Sequence, residues 1–319
     1  MILAVYFLII NILAFIRYGM DKEKAKKDKS RIPEKTLIAF VVFGGAFGAF
    51  LGMHIFHHKT KKKKFYITVP VFCVLWLGFI SFCLWQNYHL VVTEYEYTAD
   101  FDCNIVQISD LHNQLFGIGQ KNLLKKIEKC DPDIIVVTGD VVDISHRFYG
   151  IAYDFFQGAV EIAPTYYVTG NHEVWLYGKR FDSFKTDIEK LGVHLLDGKT
   201  EATENMIIAG AYDNSNVLDY GWQNDSRLKI LLTHEPELTD SYKNTGADIV
   251  FAGHNHGGQI IIPGKGGLIS SDFKFFPEYD GGQYKIGDMT MYVSRGLGNS
   301  LAPVRINNYP EIVLLRIHH

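Results

Sequence analysis

Five short apolar runs in this 319-residue chain each end in side chains able to hold a metal or move a proton. They read SDLH at 109–112, GDVVD at 139–143, GNHE at 170–173, THEPE at 233–237 and GHNHGG at 253–258. The donors they offer are Asp110 and His112, then Asp140, then Asn171 with His172, then His234, then His254 and His256. Carboxylate, amide oxygen and imidazole together suit zinc, manganese or iron, and the lack of thiolate argues against a structural zinc site. The mixture points to catalysis. Two ions about 3.5–4 Å apart need a shared ligand, and a carboxylate can bridge them; Asp140, between the other donors in sequence, suits that position. A solitary histidine after a strand is ordinarily solvated, and a short motif alone is weak. Five motifs in order, each after an apolar run, are not explained that way. Asp143 and Glu173 read two ways, as carboxylates orienting a neighbouring histidine or as solvated groups. His146, His194, His318 and His319 read as surface residues.

These donors must be brought together across about 150 residues. Apolar runs of four to six residues read as buried strands, which puts the polar tails on loops leaving the strand ends. Between the first two runs, Leu123, Leu124 and Ile127 have helical spacing, stopped by Pro132. Strand, helix, strand implies parallel pairing, and in open α/β sheets active groups lie outside the carboxyl ends of the strands. Residues 205–211, 229–233 and 289–293 read as further strands. The expected fold is therefore α/β, two packed mixed β-sheets flanked by helices. Gly139, Gly170 and Gly253 each precede a ligand by one position, where positive φ or close backbone approach turns the chain into the site.

The first part of the chain is different in kind. Residues 1–89 hold 13 Lys and Arg against 4 Asp and Glu, a net +9; residues 90–319 hold 19 against 31, a net −12. A basic apolar segment joined to an acidic mixed one reads as a membrane region, 1–89, followed by a soluble catalytic domain, 90–319. The acidic domain argues against nucleic acid as a partner, since phosphate backbones are held by clustered Lys and Arg. Apolar runs at 1–16, 36–56 and 65–85 give two to three transmembrane segments. A signal peptide would carry its charge before the apolar run, whereas here residues 17–35 carry it afterwards. The middle run contains Gly44, Gly45, Gly48 and Gly52 and reads either as a crossing or as a re-entrant segment. The last run has Lys61–Lys64 before it and Glu94, Glu96 and Asp100 after it. If all three runs cross, the more basic loop, residues 17–35, kept inside puts the catalytic domain in the cytoplasm; if the middle run re-enters, both basic loops are inside, and the asymmetry around the last run favours a catalytic domain outside the cytoplasm. Cys73 and Cys83 read as small hydrophobes. Cys103 and Cys130 precede neighbouring strands, as a disulfide pair outside the cell or as two buried thiols.

The stretches YGMDKEKAKKDKSRIPEKTL, GGAFGAFLGM and HKTKKKKF resemble a family of small bacterial membrane proteins of unknown function, domain of unknown function 1294, over roughly residues 15–75. The ordered set SDLH, GDVVD, GNHE, LLTHEPE and GHNHGGQ resembles the calcineurin-like metallophosphoesterases over residues 100–319. This second resemblance implies that Asp110, His112, Asp140 and His256 hold a first divalent metal and that Asp140, Asn171, His234 and His254 hold a second. It implies that His172 is the non-ligand histidine that steadies the transition state or protonates the leaving oxygen. With the late SRGLG stretch, the chain is most similar to the YkuE-like and YaeI-like branch, linked to lipid-sugar pyrophosphates. A lipid-linked phosphate or pyrophosphate beside the bilayer is then the expected substrate. A nuclease or cyclic-nucleotide phosphodiesterase would use the same site, and a metal-binding scaffold without catalysis would lack one of these ligands. Arg295 in SRGLG reads either as a bidentate holder of a second phosphate or as a salt-bridge residue.

Overall fold

The apolar runs of the first ninety residues form helices, because they are long and do not alternate polar with apolar. A computed structural model of the chain describes residues 2–145, 149–176, 178–211, 220–299 and 304–319; His146 lies outside these. Two units form, Met1–Trp85 and Gln86–His319.

In the first unit α1 (Ile2–Lys26), α2 (Glu34–Phe40), α3 (Ala46–Ile55) and α4 (Lys63–Tyr88) follow in order. Residues 34–55 and Lys63–Tyr88 are long and apolar enough to cross a bilayer. The stretch 34–55 is not one straight helix. It breaks over Val41–Gly45, where Gly44 takes a φ of 105°, and α3 returns alongside α1. Near the break, Tyr6 Oη donates to Phe43 O, and Asn11, the lone polar residue of the first apolar run, donates to Gly44 O and accepts from the Gly48 N–H. At the other end Glu34, which opens α2, pairs with Lys59 just beyond α3 at 2.9 Å. The glycines of the middle run permit this packing, since a Cβ on Gly48 would lie 1.9 Å from Asn11 O. α4 runs antiparallel to α1, with Phe65 against Tyr18 and Trp76 against Phe7. Both basic stretches therefore sit at one end of the unit, tied together by Asp21. This wholly buried carboxylate accepts from Ile32 N at 2.8 Å and meets His58 Nε2 at 2.7 Å and Lys59 Nζ at 3.5 Å.

The second unit is α/β with two six-stranded mixed sheets. Its elements in order are β1 (Val91–Thr98), β2 (Cys103–Ile108), α5 (Lys121–Glu128), β3 (Ile134–Thr138), α6 (Gly150–Ile162), β4 (Thr165–Val168), α7 (Asn171–Val174) and α8 (Lys179–Lys190), followed by β5 (His194–Leu195), β6 (Thr200–Ala202), β7 (Met206–Gly210) and β8 (Leu228–Leu232). After these come β9 (Ile249–Ala252), a small ribbon of β10 (Ile261–Ile262) and β11 (Gly266–Gly267), β12 (Gly282–Ile286), β13 (Met289–Val293) and β14 (Glu311–His318). The sheets run β1-β14-β2-β3-β4-β5 and β12-β13-β9-β8-β7-β6. β2, β3 and β4 are parallel to one another, as are β8 and β9. Ile105, Val136 and Val168 from the first sheet meet Ile208, Ile230 and Phe251 from the second in one buried layer. α5, α6 and α8 cover the outer face of the first sheet with Leu123, Ile127, Phe155, Phe156 and Phe184. Apolar burial of this extent, at about 25 cal/mol per Å², is the main term fixing the stack. The insertion of β14 between β1 and β2 was not expected from sequence; it leaves β1 as the edge strand of the first sheet. Cys103 and Cys130 are both buried free thiols, so of the two readings of this pair the structure shows the unpaired one. His194 is exposed and pairs with Glu201.

Candidate metal centre

The parallel strands deliver every candidate ligand to one place. Asp110 and His112 leave β2, Asp140 leaves β3, Asn171 and His172 open α7 after β4, His234 leaves β8, and His254 and His256 leave β9. Gln107 Nε2 donates to Ala252 O at 2.7 Å, which stitches the two sheets directly beneath them.

The backbone is strained where the ligands sit. Asp110, His112, Asp140, His254 and His256 all have φ between 45° and 71°, a region that L residues with a Cβ occupy at a cost of order 1–3 kcal/mol each. Of the three glycines, Gly139 has positive φ (86°). Gly253 serves by close approach: a Cβ there would lie 1.9 Å from Ser109 Oγ and 2.6 Å from Asp110 Oδ2. The sequence placed the strain on the glycines, and the structure places most of it on the ligands.

Two groups of donors converge. Asp110, His112 and His256 form one, and Asp140, His234 and His254 form another, each buried and each with its ligand atoms within 4.8 Å of one another. In the first, His112 Nε2 faces His256 Nε2 at 3.1 Å and Asp110 Oδ1 lies 3.6 Å from His256 Nε2. In the second, His234 Nε2 faces Asn171 Oδ1 at 3.0 Å, Asp140 Oδ2 at 3.2 Å and His254 Nδ1 at 3.2 Å. Asp140 stands between the groups. Its Oδ1 accepts the His172 N–H at 2.8 Å, leaving Oδ2 within 3.5 Å of His112 Nε2 as well as 3.2 Å of His234 Nε2.

These contacts fit divalent cations better than hydrogen bonds. His234 Nδ1 donates to Thr138 O at 2.8 Å, which turns Nε2 towards an amide oxygen, a carboxylate oxygen and a second imidazole; burial opposes charge on this ring, but Asp140 and Asp110 raise it well above the usual imidazole range. One proton cannot serve all three contacts, whereas a cation can. It is the Nε2 atoms of His112 and His256 that face each other and the Asp140 and Asp110 carboxylates, while on the other side of each ring Nδ1 is buried without a hydrogen-bond partner among the described residues. Burial pushes His112 down to about 3 and His256 well below the usual imidazole range, which keeps both in the neutral, ligating form. Burial raises Asp110 to about 6. For Asp140 burial acts in the same upward direction, but the surrounding imidazoles, His234 first, hold it well below the carboxylate range.

Glu173 orients the site through the backbone, not through a histidine. Its carboxylate accepts from the N–H groups of Asp140 at 2.9 Å, Val142 at 3.1 Å and Gly170 at 2.8 Å, which staples the β3 and β4 loops together. Burial, then the Asp140 charge, pushes it up to about 7. Asp143 lies 3.9 Å from His172 Nδ1, which accepts the Ile144 N–H at 3.3 Å. Arg295 is not brought into the cluster. Its guanidinium is bound to Glu311 and Thr93, while the following residues, Leu297 and Gly298, donate to Ser109 O and Asp110 O. The SRGLG stretch thus supports the Asp110 loop from behind. Sequence reasoning missed Asp272, 3.4 Å from His254 Nε2. It also missed the buried Arg305 and Asn308: Arg305 holds the carbonyls of Arg295 and Gly298, and Asn308 donates to His256 O at 2.7 Å. No periodicity or motif marks these three.

Two mixed sheets carrying buried Asp, Asn and His ligands at their joined strand ends define a metal-dependent hydrolase of phosphoesters. The calcineurin-like phosphoesterase family matches residues 103–258, and the family of unknown function DUF1294 matches residues 11–65. The uncharacterized metallophosphoesterase YkuE of Bacillus subtilis is 30% identical over 235 residues, 67% of this chain and 78% of that protein. The phosphodiesterase YaeI of Escherichia coli is 26% identical over 231 residues, 67% of this chain and 81% of that protein. The uncharacterized protein YsdA of B. subtilis is 43% identical over 75 residues, 24% of this chain and 84% of that protein. The chain belongs to the calcineurin-like metallophosphoesterases and is a metal-dependent phosphoester hydrolase with a DUF1294 region at its N-terminal side.

Proposed function

We propose that this protein is a membrane-anchored hydrolase that holds two divalent ions and cleaves a lipid-linked phosphate or pyrophosphate. The observation that carries the dinuclear reading is Asp140 Oδ2, within reach of imidazoles from both donor groups. Asp110, His112, Asp140 and His256 hold one ion, and Asp140, Asn171, His234 and His254 hold the other, each being manganese, zinc or iron. Bound there, the ions supply Lewis acidity to water and to the phosphoryl oxygens. His172 is assigned the proton transfer. With Nδ1 accepting the Ile144 N–H, the neutral ring keeps its proton on Nε2 and donates a hydrogen bond to the developing charge; to protonate the leaving oxygen the ring must first be imidazolium, its Nδ1–H then facing Asp143, so that the transfer from Nε2 leaves a neutral ring. Glu173 fixes the backbone of the Asp140 and Gly170 turns so that these distances persist.

An amphiphilic substrate is supported by the surroundings of the site. Asp272, beside His254, opens a segment in which Phe273, Phe275 and Phe276 are all exposed, and Trp175, ringed against His172 at 5.0 Å, is exposed too. Exposed aromatics grouped beside a polar centre are suited to hydrocarbon or to a bilayer surface. The domain division at about residue 89 and the membrane location rest on the apolar helices. The return of α3 to the end where α2 began supports a re-entrant middle segment, which puts both basic loops on one side. With α4 as the crossing that leads to the catalytic domain, positive-inside bias then places that domain outside the cytoplasm.

Metal analysis of the full chain, with hydrolysis of an aryl phosphodiester, a cyclic nucleotide and a lipid pyrophosphate, tests the reading. Two ions per chain, loss of turnover on chelation and highest kcat/KM for the lipid pyrophosphate are expected. A single ion overturns the dinuclear centre, and preference for the cyclic nucleotide overturns the lipid substrate.

A further inference from the structure

The basic end of the N-terminal unit forms an open concavity, or chamber, of about 720 Å³ whose lining includes Lys22, Lys26, Arg31, Lys59, Lys61 and Lys62 and no carboxylate. Six ammonium or guanidinium groups around one concavity repel one another, and solvent-exposed flanking lysines do not need to be gathered in this way. The gathering is built. Asp21, fully buried, fixes His58 and Lys59 on the loop after α3 and Ile32 on the loop after α1. Glu34 binds Lys59 and Lys62 from the opposite side, and Lys22 Nζ donates to His57 O at 3.2 Å. The two carboxylates thus stand behind the chamber and set its lysines.

The chamber has an apolar extension. A second cavity of about 600 Å³ shares Lys22, Lys26 and His57 with it, includes Glu23, which pairs with Lys26 at 3.1 Å, and continues between α1 and α3 along Phe15, Ile16, Met20, Ile55 and Phe56. A concavity cationic at one end and hydrocarbon-lined at the other is complementary to one class of ligand.

We propose that this end of the N-terminal unit is a binding site for an anionic phospholipid, with its phosphate in the Lys–Arg chamber and an acyl chain along the α1–α3 groove. Arg31 and Lys61 are exposed cations of the chamber outside the Asp21 and Glu34 network, and they supply the headgroup contacts. The groove supplies selection for a lipid over a free anion, since each buried methylene contributes about 0.8 kcal/mol. The site is separate from the catalytic centre and does not depend on its metals; it does rest on the membrane insertion proposed above.

The test is saturable binding to the purified full chain in neutral-detergent micelles, with three probes: short-chain phosphatidic acid, inorganic phosphate and diacylglycerol. Phosphatidic acid is expected to bind at least tenfold more tightly than either other probe, and the double variant Arg31→Gln, Lys61→Gln to remove most of that preference. A control, Lys35→Gln with Lys64→Gln, deletes the same charge outside the chamber and is expected to leave binding unchanged. Hydrolysis of an aryl phosphodiester, expected to be unaltered in both double variants, reports that the chain is intact. Equal binding of inorganic phosphate would show a free-anion site, and equal binding of diacylglycerol would show a general hydrocarbon groove; each overturns the proposal. Equal loss in both double variants would reduce the chamber to general surface charge. Protein that stays in carbonate-washed membranes yet shows no headgroup preference overturns the site while leaving membrane insertion intact.

Discussion

In the N-terminal unit Asp21 is wholly buried and its oxygens are used by a backbone N–H, an imidazole and an ammonium of the same unit. In the catalytic unit the buried donors face one another instead: imidazole against imidazole, and amide oxygen and carboxylate both against the one nitrogen of His234. Both arrangements carry the desolvation cost of ionisable groups, but the first is complete within the chain and the second is completed only by cations. A closed buried network is explained by folding alone. An open one, held on strained backbone and stapled by Glu173, is explained by what it binds.

The largest expected effect is at the open network. Asp140→Asn keeps the shape of the side chain but removes the charge shared by both groups, so turnover should fall to background and total metal per chain should drop. Near-normal turnover with two bound ions would remove Asp140 from the bridging position. Next is His172→Ala, which should lower kcat by roughly 10² to 10⁴, the range of acid–base residues, with both ions retained in metal analysis. Because His112, Asp143 and His172 also lie close enough to hold a cation, loss of one ion in that variant would make His172 a ligand and redraw the first group.

Which parts of this were legible in sequence follows from the same contrast. The ligands announce themselves because each follows an apolar strand at fixed spacing, and period and polarity are both visible in one dimension. Glu173 was legible only as a carboxylate near the site; its role depends on three backbone N–H groups from two loops. Arg305, Asn308 and Asp272 act through carbonyls or neighbours 7 to 52 residues away, and no local pattern encodes such a contact. In the N-terminal unit the glycine run was read as either a crossing or a re-entry, and the pairing of its two ends through Glu34 and Lys59 was not foreseen. A strand such as β14, whose partners are the first two strands of the domain, likewise has no marker in its own residues.

The closed network gives a test of intermediate size. Asp21→Ala leaves His58 and Lys59 without their buried partner, a loss of about 3–5 kcal/mol for a broken buried pair. Thermal unfolding in detergent should show the helical unit melting earlier, while kcat on a soluble aryl phosphodiester stays at the wild-type value. A matching collapse of catalysis would mean that the two units are not energetically separate, and the contrast between them would fail.

The smallest expected effect is at Arg295, where the two readings of one residue differ most in what they forecast. Its guanidinium is held by Glu311, itself buried at 1% exposure, and the Arg295 N–H donates to the same carboxylate. That doubles the tie between the loop after β13 and the start of β14, and it leaves the fork of the guanidinium engaged. Arg295→Lys keeps the charge but cannot reproduce the fork, so the loss is about that of one net hydrogen bond, roughly 1 kcal/mol. A slightly lower Tm with unchanged KM for both a phosphomonoester and a pyrophosphate is the expected result. If instead KM rises for the pyrophosphate alone, Arg295 must leave Glu311 when substrate arrives, and the open network extends to a second phosphate through a residue that the resting structure keeps closed.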